Sequence, residues 1–385
     1  MKREIIPGVF EVGVRDYNRK TFDEIMDLPN GTSYNSYIVQ GFNKTALIDT
    51  VDPTFKEEFL NNIKEFNIDY LIINHAEQDH SGSIEDVLKI YPNIKIICNL
   101  KCQELLINLL DIPIDKFYII EDNDTLDLGY KNLKFIFTPW VHWPETMCTY
   151  LIEEKILFSC DFFGSHIASE QLYIQNQKEI LDYLKRYFVE IMMPFRGQIK
   201  SNIEKLSHYQ MNIIAPSHGQ LHNNPQFIIN KYKKWISDEC ENKVLIYYVS
   251  MHNSTKLMSQ YLNDKLQEKN IEVKLLNISK EDVSNLVLES MSAKCIIFAT
   301  PAFLTSIHPK MANIIFLLNT LRPKTQLIGI IGSYGWGQII EKQIKEMTKR
   351  FKCEYLDSVL IKGKPKNFNE LDELSIQIES KIKNQ

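Results

Sequence analysis

Four side chains able to bind metal fall within six residues: His75, Glu77, Asp79 and His80. Three further donors, His142, Asp161 and His218, each stand just past a short apolar run, at Leu133–Thr138, Lys155–Ser159 and Ile213–Ala215. Imidazole and carboxylate are ordinary ligands of first-row metals, and donors carried on several rigid strand ends can converge where one mobile loop cannot. A lone histidine would read as a satisfied core or surface residue. Four donors in one turn, joined by three on separate strand ends, read as a metal centre. His166, His208 and His222 lie nearby in sequence but stand singly in polar stretches, and are expected to be solvated or hydrogen-bonded. A second signal is Ser250-Met251-His252-Asn253-Ser254-Thr255, which follows the apolar run Lys243–Val249 and precedes a helical pattern. Hydroxyls and backbone N–H groups at a strand-to-helix turn make a phosphate cradle that needs no lysine. Two more strand ends carry Thr300-Pro301-Ala302-Phe303-Leu304 and Gly332-Ser333-Tyr334-Gly335-Trp336-Gly337. Tyr334 and Trp336 offer flat surfaces there, and the glycines allow close backbone approach.

These groups need a scaffold of strands with turns at their ends. Strands are expected at Thr45–Val51, Tyr70–Ile73 and Ile94–Cys98, with a helix through Phe55, Phe59, Ile63 and Phe66 after the start signal Asp52-Pro53-Thr54. Near Asp238–Asn242 the texture turns charged, and a run apolar enough to be buried on both faces begins at Lys243. The expected domains are therefore 1–242 and 243–385. In the second, strand-like Lys243–Val249, Ile271–Leu276, Cys295–Thr300, Gln326–Ile331 and Leu356–Ile361 alternate with helical stretches 255–269, 310–321, 338–352 and 368–383. That alternation predicts a doubly wound parallel sheet with a ligand at the strand ends.

With 385 residues, 44% hydrophobic and 24% charged, the chain has material for two packed cores. Its 44 basic and 49 acidic residues give −5, which removes the electrostatic footprint of a nucleic-acid binder. The longest apolar stretches, such as Cys295–Leu304, fall far short of the roughly 20 residues that cross a bilayer, so no membrane association is expected. Seven cysteines (98, 102, 148, 160, 240, 295 and 353) include no Cys-x-x-Cys pair. They read as reduced thiols in a cytoplasmic protein, Cys98 and Cys102 as buried ones.

The run His75-x-Glu77-x-Asp79-His80, with His142, Asp161 and His218, resembles the metallo-β-lactamase-like core of the flavodiiron proteins, also called A-type flavoproteins. Gly31–Tyr37, Ala46–Thr50, His142–Met147 and Ser333–Trp336 are similar to that family's signatures, so the resemblance spans nearly the whole chain. It implies an α/β fold: a metallo-β-lactamase-like αββα sandwich followed by a flavodoxin-like doubly wound parallel sheet. It also implies two iron ions and one FMN per chain. His75, Glu77 and His142 would hold one iron, Asp79 and His218 the other, and Asp161 would bridge them. His80 completes the motif; its equivalent is a ligand in some members and displaced by solvent in others. Hydrolases on this scaffold have histidine where Glu77 stands, and the extra hard oxygen donor suits redox-cycling iron better than zinc. FMN is expected at Ser250–Thr255, Pro301–Leu304 and Ser333–Gly337, although Ala302 and Leu304 stand where members usually carry threonine and asparagine.

The implied activity is reduction of dioxygen to water, of nitric oxide to nitrous oxide, or of both, in an anaerobic host. The implied donor is external, rubredoxin or a reduced deazaflavin, and the implied assembly is a head-to-tail homodimer or a dimer of dimers. Two other classes compete. A zinc hydrolase would leave the second domain unexplained, and a flavodoxin-like electron carrier would leave the seven donors without a task.

Overall fold

The computed structural model describes residues 2–383 and divides into two compact units. One comprises the chain up to Glu24 with Leu28–Ile236; the other comprises Ile25–Asp27 and the chain from Ser237 onward. The division falls at the end of helix Pro225–Ile236, six residues ahead of the expected change at 242 to 243. That expectation cuts into a strand that runs Glu241–Tyr248, because its first residue is polar yet already paired: Glu241 N donates to Ser292 O at 2.7 Å.

In the first unit, a seven-stranded sheet runs in the order Arg3–Ile6, Val9–Glu11, Tyr37–Gln40, Thr45–Ile48, Tyr70–Ile72, Lys95–Cys98 and Phe117–Ile119. The last three joins are parallel and the others antiparallel. A second sheet orders Thr125–Asp127, Asn132–Phe137, Met147–Leu151, Ile156–Cys160 and Ile213–Pro216, with only its last pair parallel. Side chains alternate across a strand, and the core follows that period. Ala46, Ile48, Ile72 and Ile97 face Phe135, Met147, Phe158 and Ala215 between the sheets. Leu47, Leu71 and Ile96 point the other way, onto Phe59, Ile63, Ile84, Val87 and Leu106 of helices Lys56–Ile63, Ile84–Ile90 and Leu100–Leu109. Beyond the second sheet, Tyr232 and Trp235 of Pro225–Ile236 pack with Phe188, and Tyr232 also packs against Phe162 and Phe163. The result is the αββα sandwich.

Phe158 is fully buried between the sheets, its ring 5.0 Å from that of Tyr37. Phe158→Ala is expected to lower the unfolding free energy of this unit by about 3–5 kcal/mol, measured by denaturant titration, because the rigid sheets cannot close over the hole.

The second unit orders its strands Glu272–Asn277, Glu241–Tyr248, Ala293–Phe303, Leu327–Tyr334 and Glu354–Tyr355, all parallel. In chain order this is 2-1-3-4-5, the flavodoxin-like winding, and it reverses direction between Glu241–Tyr248 and Ala293–Phe303. The single strand expected over 356–361 is instead two short ones, since Val359–Lys362 pairs separately with the end of Leu327–Tyr334. The expected helix over 338–352 is confined to Ile340–Met347. One helix, Val283–Ser290, was not expected; the Asp282 side chain starts it by accepting from Asn285 N at 2.7 Å. Among the described residues no helix is long and apolar enough to cross a membrane.

Candidate metal centre

All seven expected donors lie at the ends of strands. His75–His80 follow Tyr70–Ile72 of the first sheet; His142, Asp161 and His218 follow Asn132–Phe137, Ile156–Cys160 and Ile213–Pro216 of the second. The one-turn helix Gln78–Ser81 brings Asp79 and His80 round beside His75 and Glu77. The donors gather into two groups. His75, Glu77, His142 and Asp161 each offer an atom within 4.8 Å of the others, as do Asp79, His80 and His218. In the first group Glu77 Oε2 lies 3.1 Å from His75 Nε2 and 3.2 Å from His142 Nε2, and Asp161 Oδ2 lies 3.3 Å from His142 Nε2. In the second, His218 Nε2 is 3.3 Å from Asp79 Oδ2 and 3.2 Å from Asp161 Oδ1. His80 Nε2 is 3.1 Å from the same Asp161 oxygen. The carboxylate of Asp161 therefore turns one oxygen to each group.

The charge balance fits a cation in each. Burial opposes a proton on His142 and on His218, yet the facing carboxylates more than offset it, pushing His142 up to about 9 and His218 up to about 10. Burial likewise opposes charge on Asp161, but His80, His142 and His218 hold its carboxyl well below the usual range. Protons on the histidines supply the positive charge these carboxylates require. Asp161 Oδ2, Asp79 Oδ1 and His80 Nε2 remain buried without a hydrogen-bond partner, the condition of ligand atoms. A third grouping, Asp49 with His80 and Cys160, has its carboxylate already engaged by Asn74 N at 2.8 Å and Asn74 Nδ2 at 3.1 Å.

Two orienting groups escaped the sequence reading. His75 Nδ1 pairs with Glu145 Oε1 at 2.6 Å, and His218 Nδ1 donates to Ser33 O at 2.7 Å, which leaves both Nε2 atoms facing the centre. Glu145 is a lone acid beside Trp143-Pro144, so only its place within the His142–Met147 signature marked it. Glu145→Ala is expected to weaken metal binding about 10–100-fold while the fold persists, read by chelator competition and circular dichroism. Trp143 packs edge-on to His75 with centroids 4.9 Å apart, whereas Trp140 is half exposed and stacks on Phe195. Only one of the two flanking tryptophans shields the donors. Tyr34 lies edge-on to His218, and Tyr37 donates to Pro216 O at 2.6 Å beneath that strand end. His166 is bound to Thr32 Oγ1 at 2.9 Å, His222 bonds Phe163 O at 2.9 Å, and His208 is exposed; none joins a donor group.

In the second unit the three expected segments sit at the carboxyl ends of neighbouring parallel strands. Ser254 and Thr255 open helix Ser254–Glu268, preceded by Asn253 at φ 67°, and Ser250 Oγ is buried without a partner. Such an orphan hydroxyl beside a helix N-terminus suits a phosphate. Thr255 Oγ1 lies 2.9 Å from Ser333 Oγ, and Pro301 pairs in register with Ser333, which joins the segments. Pro301–Phe303 and Ser333–Tyr334 prove to be the last residues of their strands, and Leu304 begins the turn at φ 55°. Gly335 and Gly337 face open space. Gly332 does not: a Cβ there would meet the side-chain ends of Ile340 and Leu360 at 2.7 Å, so this glycine lies against the core.

A metallo-β-lactamase-like sandwich bearing two linked donor groups, in one chain with a flavodoxin-like sheet, defines a flavin- and metal-dependent oxidoreductase class. Residues 32–219 match the family model described as ODP family beta lactamase. The chain is 35% identical over 363 residues to an uncharacterized protein of Methanocaldococcus jannaschii, covering 93% of this chain and 92% of that one. It is 33% identical over 338 residues to the anaerobic nitric oxide reductase flavorubredoxin of Aliivibrio fischeri, covering 84% and 68%. Among solved structures it is similar to rubredoxin oxygen:oxidoreductase of Desulfovibrio gigas, with TM-score 0.94, 28% identity and 100% and 99% of the two chains covered. The flavodiiron protein of Giardia intestinalis is similar too, at 0.90, 27%, 99% and 98%. The chain belongs to the flavodiiron protein family.

Proposed function

We propose that this flavodiiron oxidoreductase reduces dioxygen to water, nitric oxide to nitrous oxide, or both, using two irons in the first unit and FMN in the second. The observation that carries the reading is the shared carboxylate of Asp161, with one oxygen toward each donor group. His75, Glu77 and His142 would hold one iron, Asp79, His80 and His218 the other, and Asp161 would bridge them. When bound, the irons and the flavin supply the electrons for reduction of the diatomic substrate. The chain's own part is geometric and electrostatic. Glu145 and the Ser33 carbonyl fix the rings of His75 and His218. Tyr34, Leu28 and Trp143 help line a cavity of about 280 Å³ over the donors, which gives a small substrate access to them. Ser250, Met251, His252, Asn253, Ser254 and Thr255 would receive the FMN phosphate. Pro301, Ala302, Phe303 and Leu304 on one side, and Ser333, Tyr334, Gly335, Trp336 and Gly337 on the other, would flank the ring.

The electron donor would be rubredoxin, as the name of the Desulfovibrio gigas relative suggests, or a reduced deazaflavin. Large apolar side chains exposed on the flavin loops, Leu304 and Trp336 above all, and others on the first unit at Leu100 and Ile107, support a head-to-tail homodimer or a dimer of dimers that would cover them. Anaerobically purified protein assayed for iron, zinc and FMN, then for oxygen and nitric oxide consumption with reduced rubredoxin, tests the reading. Two irons and one FMN per chain with consumption of either gas is expected. Zinc in place of iron after iron-replete expression would overturn it.

A further inference from the structure

The cavity over the donors contains an acid that neither metal group uses. Besides ligands, its wall includes Arg19, Phe22, Asp23, Tyr34, Asp52 and His166. Reducing dioxygen to two waters takes up four protons with four electrons; coupling two nitric oxide molecules to nitrous oxide and water takes up two protons with two electrons. Something must carry those protons into a pocket whose one donor imidazole, His218, would be taken up by a metal. Arg19 does not give up its proton, and its Nε is tied to Thr21 O at 2.8 Å. Burial pushes the Tyr34 phenol far up, and burial followed by the charge of His218 keeps His166 neutral. Asp52 is occupied in capping, accepting from the backbone N and the hydroxyl of Thr54.

Asp23 differs from all of these. Among the described residues its carboxylate has no hydrogen-bond or ion-pair partner, and the residue is open to solvent while lining the cavity. Partial burial raises its pKa, and Arg19 pulls the other way. Asp23 and Glu24, at φ 49° and 55°, lie in the tight turn between strands Thr21–Phe22 and Met26–Asp27, where successive left-handed residues are ordinary turn geometry and hold the Asp23 side chain at the cavity rim.

We propose that Asp23 is the proton-delivering group of this centre: its carboxylic acid passes its proton to the oxygen of the substrate in the cavity, the acid O–H bond breaking as the substrate O–H bond forms, and is reprotonated from solvent on its open side. Electrons arrive separately, through the flavin. The inference rests on the oxygen or nitric oxide reductase reading above.

Asp23→Asn, loaded with iron and FMN, is expected to lose about tenfold or more in turnover, the lower part of the range for general acid–base groups. Asp23→Glu, or formate added to Asp23→Asn, is expected to restore it. A second readout needs no turnover. Azide binding to the oxidised, iron-loaded protein, followed by visible absorption, is expected to weaken with rising pH in a step that Asp23→Asn removes. Turnover of Asp23→Asn within twofold of the unaltered protein at full iron and FMN content, or an unchanged azide step, overturns the proposal. Should Asp23→Asn fail to load iron, Asp23→Ser is put through both measurements under the same criteria. An unaltered, fully loaded protein that consumes neither gas contradicts the reductase reading instead, and the azide step then still decides for or against Asp23 as the titrating group over the cavity.

Discussion

Asp161→Ala is expected to empty both metal positions at once and to lower gas consumption by about a thousandfold or more, beyond the 10–100-fold typical of losing a group that merely orients a ligand. The reason is geometric. Asp161 Oδ2 lies 3.3 Å from His142 Nε2, and Oδ1 lies 3.1 Å from His80 Nε2 and 3.2 Å from His218 Nε2, so one truncation removes a donor from each group. It also leaves several buried imidazoles facing one another without the carboxylate that balances their charge. FMN content is expected to stay near one per chain, because every residue assigned to the flavin lies in the other unit. Metal analysis of the purified variant reads the result; retention of two irons would contradict the bridging role.

The second large effect is expected at Glu77. Glu77→His replaces a carboxylate that approaches His75 and His142 at 3.1 and 3.2 Å with a neutral nitrogen donor. The first group then offers three imidazoles and one carboxylate, a set that suits four-coordinate zinc. Protein expressed in medium containing both metals is expected to exchange most of its iron at that position for zinc, and to lose gas consumption by about a hundredfold or more, since zinc has no redox chemistry. Metal content and turnover measured on one preparation check both statements. Iron retained with full turnover would show that the carboxylate does not set the metal preference.

The donors were legible in the sequence because each follows an apolar run, and a run of that kind marks its own end. Their division into two groups was not legible from spacing: it depends on the one-turn helix Gln78–Ser81 and on register across the second sheet. Glu145 stayed hidden because a single acid gives no periodic signal, and the Ser33 carbonyl because a backbone acceptor gives none at all. The same contrast runs through the fold. Strands Thr45–Ile48 and Tyr70–Ile72 are apolar on both faces and could be read, whereas the short strands between Arg3 and Tyr34 are two to four residues long and broken by polar groups and glycines. Helix Val283–Ser290 carries its start signal in Asp282, but eight residues give too few turns for the 3.6 period to stand out. The strand order 2-1-3-4-5 is a property of three-dimensional winding; the alternation of strands and helices predicts the class without the order.

The donors are divided between the sheets: His75, Glu77, Asp79 and His80 belong to the first, and His142, Asp161 and His218 to the second. A pair of cations held among them fastens the two halves of the sandwich at one edge, much as a covalent cross-link would. Ligands that bind only the folded chain stabilise it by mass action, about 2.7 kcal/mol for a site filled at a hundred times its dissociation constant. Iron bound at these positions would then make the folded chain harder to open to proteolysis, so metal supply would set stability as well as activity.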